Sequence, residues 1–122
     1  MLRVTILGCA LTVAALTLSG CGRGVSFSAD VKPILDEHCK GCHMPGTQGY
    51  ESTGFSVAGY DDVMKGTKFG PIVDPGHSGK STLVVMLEYG HDPVAMPRGG
   101  APLPKEQIAL IKRWIDQGAK NN

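Results

Sequence analysis

The chain has 122 residues and a formal net charge of +1, and 42% of its residues are hydrophobic. This length allows at most one domain. Its 12 basic and 11 acidic residues nearly balance, which leaves no basic excess for a nucleic-acid-binding face, so we expect no nucleic-acid partner.

The first twenty residues predict an export signal. Arg3 supplies a positive charge, and an almost wholly apolar run follows from residue 4 to residue 18. Such a run is typical of an export signal and is short for a membrane-spanning helix. The chain continues as Leu18-Ser19-Gly20-Cys21, which resembles a bacterial lipobox, where the cysteine is lipidated and becomes the new N-terminus. We therefore expect cleavage after residue 20 and a lipid on Cys21.

These features divide the chain into three parts. Residues 1–20 are the predicted signal peptide, residues 21–27 a short tether, and residues 28–122 the domain. The protein is then expected in the periplasm, lipid-anchored to a bacterial membrane. An aspartate directly after the lipidated cysteine is often linked to retention in the inner membrane. This chain has Gly22 at that position, which favours the outer membrane.

A helix is predicted before the stretch Cys39-Lys40-Gly41-Cys42-His43. Val31, Ile34 and Leu35 precede the cysteines at spacings that place them on one helix face. Asp30 is the expected N-cap, with Pro33 in the first turn. The two cysteines and the histidine therefore lie near the end of a helix.

Three chemistries are compatible with the Cys-x-x-Cys-His motif by itself. A structural zinc site needs four ligands, and no second cysteine pair follows, since Cys9 and Cys21 belong to the signal and its cleavage site. The same shortage disfavours an iron–sulfur cluster. Thiol–disulfide exchange normally places its cysteines after a strand, at the start of a helix.

Covalent haem attachment is the chemistry that the motif favours. Cys39, Cys42 and His43 are spaced at i, i+3 and i+4, so all three project from one side of a helical turn. The two thiols can form thioethers with the haem vinyl groups while the imidazole of His43 reaches the iron. This motif is the sequence signature of c-type haem attachment, and we expect one haem c per chain.

The rest of the chain predicts further helices and no confident strand. The last helix presents one apolar face, with Pro104 in the first helical position and Gly118 as a C-cap. Between residues 44 and 103, dense in glycine and proline, two short helices are expected. One covers about Tyr60 to Lys65, and the other runs from near Gly79 to Tyr89. The residues expected to face inward are Leu83, Met86 and Leu87 in the second short helix and Ile108, Ile111, Trp114 and Ile115 in the last helix.

So much loop between residues 44 and 103 is unusual in a small domain. A large apolar cofactor would give these loops a surface to pack on.

Several residues are candidates for the second axial ligand of the iron. Met44 and His38 are too close to His43 along the chain to reach the opposite haem face. The remaining loop candidates are Met96, His77 and His91. Met96 is favoured because it lies in the Pro- and Gly-rich loop "DPVAMPRGG" and has no packing role predicted from periodicity.

Three stretches resemble, in order, the class I-like monohaem c-type cytochromes, and most closely the planctomycete-type cytochrome c domain family. The stretches are "VKPILDEHCKGCH", "PIVDPGHSGKSTLV" and "MPRGGAPLPKEQIALIKRWIDQGA". The resemblance implies an all-α cytochrome c fold whose N- and C-terminal helices cross, with long Gly/Pro-rich loops around one covalent haem. It also implies that Cys39 and Cys42 attach the haem, that His43 is the proximal ligand and that Met96 is the distal ligand. Pro104 departs from the family, which usually has a serine or threonine cap there.

The expected function is single-electron transfer between redox partner proteins, without enzymatic activity of its own. Ligation by histidine and methionine leaves no open position on the iron, which favours electron transfer over chemistry at the metal. Two alternatives stay open. The chain could be a redox subunit of a larger oxidoreductase, or a five-coordinate haem protein acting on peroxide or a small gas.

Overall fold

Helices joined by loops make up the part of the chain that the computed structural model describes, residues 22–89 and 94–122. Its five α-helices are α1 (Lys32–His38), α2 (Gln48–Thr53), α3 (Tyr60–Lys65), α4 (Thr82–Glu88) and α5 (Lys105–Asp116). A π-helical segment, Phe27–Val31, leads into α1, and a 3-10 turn, Ser78–Lys80, precedes α4. These ranges contain no strand, only an isolated bridge between Thr67 and Gly70. The predicted all-α class is therefore confirmed for the described residues.

The N-terminal helical segment begins earlier than the sequence suggests. Ser26 is its N-cap, and the Ser26 hydroxyl accepts a hydrogen bond of 3.1 Å from the backbone N–H of Ala29. In return the Asp30 carboxylate accepts one of 2.8 Å from the backbone N–H of Ser26. The prediction of Asp30 as the cap was wrong because its side chain instead satisfies the cap residue's own N–H group, as in a capping box.

Packing also begins earlier than the predicted domain boundary at residue 28. Val25 and Phe27 are 8% and 4% exposed, although both lie in the predicted tether, residues 21–27. Their backbone N–H groups donate to the side-chain oxygens of Gln117 and Asn122, each at 2.8 Å. The two ends of the described segment thus hold each other, and among the described residues Val25 is the first that is buried.

An aromatic cluster lies where the N-terminal segment meets α5. The ring of Phe27 lies 5.2 Å from that of Tyr60 and 5.4 Å from that of Trp114. Trp114 also donates from its indole nitrogen to the carbonyl of Lys120 at 2.9 Å. Because Trp114 is 1% exposed, this cluster forms a buried centre for the contact between the N-terminal helical segment and α5.

The C-terminal helix largely follows its predicted pattern. Ile111, Trp114 and Ile115 are buried, while Ile108 is partly buried against the same core. Pro104 is the N-cap rather than the first helical residue, so α5 begins at Lys105. Gln117 is the C-cap, and Gly118 follows it with a positive φ of 101°, a conformation in which glycine has no steric penalty.

The middle of the chain agrees with the prediction in one helix and differs in two others. Helix α3 has the predicted bounds. The single helix expected from about Gly79 to Tyr89 is instead two elements, the 3-10 turn Ser78–Lys80 and the shorter helix α4. Within α4, Val84 is fully buried while Met86 is only partly so, which corrects the expectation for Met86. Helix α2 is not predicted by the sequence pattern. No helix in the described ranges has both the length and the apolar character needed to cross a bilayer.

Candidate functional site

The Cys-x-x-Cys-His motif forms one additional turn after α1. Cys39 is the C-cap of α1, and its N–H group donates to the carbonyl of Leu35 at 2.9 Å. The Cys39 carbonyl then accepts from the N–H groups of Cys42 at 3.1 Å and His43 at 2.9 Å. The structure therefore brings all three motif residues into a single turn at a helix end, as the spacing indicates.

The two thiols of the motif differ in their surroundings. Both cysteines are free, with Cys42 exposed and Cys39 partly buried against the core. Burial, together with the smaller effects of the neighbouring Cys42 and Asp36, raises the pKa of Cys39 to about 11. A thiol that stays protonated at neutral pH is a poor nucleophile for disulfide exchange, which uses thiols of depressed pKa. The surroundings of Cys39 are thus unlike those of a thiol–disulfide oxidoreductase.

The imidazole of His43 is held against an aromatic ring. Its ring centre lies 5.2 Å from that of Phe55, at an interplanar angle of 61°. Burial lowers the pKa of His43, and a weaker backbone interaction with Phe55 acts in the opposite direction. The ring is therefore neutral at neutral pH, which is the form that binds metals. Its Nδ1 atom is buried without a hydrogen-bond partner in the described structure.

Helix α2 and the loop after it hold the backbone of the motif in place. The carbonyl of Cys42 accepts hydrogen bonds from the N–H group of Tyr50, at 3.0 Å, and from the Thr47 hydroxyl. The carbonyl of His43 accepts one of 2.9 Å from the N–H group of Val57. The segment from Thr47 to Val57 thus wraps around the last two residues of the motif.

Sequence reasoning missed this wrapping segment. Helix α2 has the sequence Gln-Gly-Tyr-Glu-Ser-Thr, in which glycine, serine and threonine are weak helix formers, and it buries no residue completely. The one local signal is Thr47 at the N-cap position, a residue type preferred at helix N-termini. Phe55 is 5% exposed, but nothing in the sequence connects it with His43.

The candidate distal ligands lie in different environments. Met96 is partly buried against the core, and its N–H group donates to the carbonyl of Met86 at 3.1 Å. His77 is exposed, with its Nδ1 atom 3.4 Å from a carboxylate oxygen of Asp74. His91 lies outside the described residues. Among the described residues, the hydrogen bonds to the motif backbone come from residues 35 to 57, and none of them involves Met96.

The predicted lipid attachment also falls outside the described residues. The signal peptide, residues 1–20, and Cys21 precede Gly22, where the description of the structure begins. Export and anchoring therefore stay predictions from the sequence.

The residues of the motif turn have the chemistry that a covalent haem requires. Two free thiols and a neutral imidazole with a buried, unpartnered nitrogen occupy one turn. Within the described ranges, no group of three or more His, Cys, Asp or Glu side chains is placed to hold a metal ion. A c-type haem would need no such convergence, because its thioethers form at the edge of the porphyrin and only one side chain of the motif, the imidazole, would bind the iron.

Comparisons of the chain with protein-family models, curated proteins and solved structures found no match. The resemblance to the cytochrome c family therefore depends on the residues and motifs of this chain.

Proposed function

We propose that this protein is a monohaem c-type cytochrome that carries single electrons between redox partner proteins. Cys39 and Cys42 attach one haem c, His43 is the proximal iron ligand, and Met96 is the distal ligand. The observation that supports this most directly is the motif turn, in which two free thiols and a neutral imidazole lie together at the end of α1.

The residues around the motif would have separate roles in such a haem site. When bound, the haem supplies the one-electron change between Fe(II) and Fe(III). The ring of Phe55 packs against the imidazole of His43, the N–H group of Val57 holds the His43 carbonyl, and burial lowers the pKa of the imidazole and so favours its neutral form. Cys42 is exposed, so its thiol is accessible for attachment of a haem.

Anchoring completes the proposal. A lipid on Cys21 would stand four residues before Val25, where the packed domain begins. Four residues span at most about 14 Å, so the domain would work close to the bilayer surface and exchange electrons with partners at the membrane. Labelled palmitate should be incorporated into the wild type, and replacing Cys21 with serine should abolish that incorporation.

The test of the cofactor is expression in a bacterium that matures c-type cytochromes, followed by spectroelectrochemical titration. The purified protein should keep its haem in denaturant and titrate as a single one-electron centre. The variant with both Cys39→Ala and Cys42→Ala should lose covalent haem. A wild-type protein that leaves this host without covalent haem would refute the proposal.

Met96 is tested separately, with Met44→Ala as the matched control. Met44 is also partly buried against the core, but it adjoins His43 along the chain. Met96→Ala should abolish the methionine–iron charge-transfer band of the ferric protein and allow carbon monoxide to bind the ferrous protein, whereas Met44→Ala should do neither. Rapid carbon monoxide binding to the wild type would instead support the five-coordinate alternative.

A further inference from the structure

Gly49, in the first turn of α2, lies against the last two residues of the motif. A Cβ atom built there would lie 2.5 Å from the carbonyl oxygen of Cys42 and 3.1 Å from the Cε1 atom of His43. Carbon atoms do not approach a backbone oxygen to 2.5 Å without repulsion. The backbone of Gly49 is not in the left-handed region, so the requirement for glycine at this position is purely steric.

The atoms that a side chain would meet cannot move aside easily. The carbonyl of Cys42 is fixed by the N–H group of Tyr50 and by the hydroxyl of Thr47, both of which belong to the same helix start as Gly49. The imidazole of His43 is confined on another side by the ring of Phe55. Any group added at position 49 must therefore displace α2 from the motif or turn the imidazole.

We propose that Gly49 is a positioning residue for the proximal histidine: its missing side chain lets α2 pack against the Cys42–His43 peptide and sets the direction of the His43 ring. This inference assumes the proposed haem ligation. Gly49 touches neither haem nor iron in this account and acts through His43 alone.

The test compares Gly49→Ala with Gly79→Ala in the haem-loaded protein. Gly79 is a matched control because a Cβ atom there meets nothing within 4 Å and its backbone is likewise outside the left-handed region. The readouts are the covalent haem content, the hyperfine-shifted haem methyl resonances of the ferric protein, and the midpoint potential. The methyl resonances report the orientation of the axial imidazole, which a change in stability alone does not alter.

We expect Gly49→Ala to keep its covalent haem and to show a redistributed set of haem methyl shifts together with a shifted midpoint potential. Gly79→Ala should match the wild type in all three readouts. Methyl shifts and potential of Gly49→Ala that coincide with those of the wild type would overturn the inference, while the proposed function would stand. Absence of covalent haem in the wild type would instead refute the proposed function.

A second variant, Thr47→Val, tests the inference if Gly49→Ala does not fold. Thr47→Val removes the hydroxyl that binds the Cys42 carbonyl but adds no atom between α2 and His43. Thr47→Val should loosen the contact between α2 and the Cys42 carbonyl, and it should change the haem methyl shifts less than Gly49→Ala does. If Gly49→Ala does not accumulate, a wild-type spectrum for Thr47→Val overturns the inference.

Discussion

Phe27 allows a direct test of where the folded domain begins, because the sequence pattern assigns it to the tether and the structure places it in the core. Its ring is 4% exposed and contacts the rings of Tyr60 and Trp114. Phe27→Ala removes both contacts and leaves a cavity between the two ends of the chain. Phe69→Ala is the matched control, since the ring of Phe69 is 84% exposed.

The magnitude follows from burial. Replacing a buried phenylalanine by alanine costs about 3–5 kcal/mol of the free energy of unfolding, and the two aromatic contacts of Phe27 favour the upper half of that range. The same change at an exposed position is expected to stay within about 0.5 kcal/mol. For a domain of this size, a loss of 4 kcal/mol corresponds to a fall in Tm of roughly 15–30 °C.

The assay is urea unfolding followed by far-ultraviolet circular dichroism. Phe27→Ala should lower the unfolding midpoint with the same slope as the wild type, and Phe69→Ala should not. The reasoning would be refuted by equal free energies of unfolding for Phe27→Ala and the wild type, because the N-terminal segment would then not be part of the cooperative fold.

Two further predictions concern hydrogen bonds at the C-terminal end of α5. The Asp116 carboxylate accepts from the N–H group and the hydroxyl of Ser78, at 2.9 and 3.0 Å, and these bonds hold the pKa of Asp116 below its ordinary value. The ionised carboxylate therefore stabilises the fold above the unfolded-state pKa, and this contribution is lost as pH falls through the folded-state pKa. Asp116→Asn should be less stable than the wild type at about pH 7 and approach it at about pH 3 in urea unfolding; a difference that does not change with pH would contradict this. Tyr60→Phe removes the hydroxyl that donates to the buried carbonyl of Ala119 at 2.7 Å and keeps the ring contacts, so it should cost about 1 kcal/mol in the same assay, and a neutral effect would show that the bond adds nothing to stability.

The helices that the sequence predicts well are those whose burial follows from local spacing. In α5, Ile111, Trp114 and Ile115 recur at helical intervals and are all buried. Helix α3 is found with the predicted bounds, Tyr60–Lys65. In such segments each residue's environment depends mainly on its place along one helix, which the period of the pattern reveals.

Helix α2 shows where this reasoning ends. Its residues have weak helix propensity, and it buries none of them completely. The helix is instead held by bonds from Thr47 and Tyr50 to the carbonyl of Cys42. A segment stabilised by contacts with another part of the chain has no periodic signal of its own, so no window of sequence could reveal it.

The sequence by itself determined the chemistry of the candidate site, because the order Cys39, Cys42, His43 fixes which groups lie in one turn. It also indicated where that turn lies relative to α1. The tertiary structure decided what surrounds the turn: the ring of Phe55 beside His43, the steric requirement at Gly49, and the burial of Cys39 that raises its pKa to about 11. It likewise decided that Val25 and Phe27 belong to the packed domain, because their partners, Gln117 and Asn122, lie more than ninety residues further along the chain. Spacing along a chain encodes neighbours within a few residues, whereas contacts between distant segments exist only once the chain has folded.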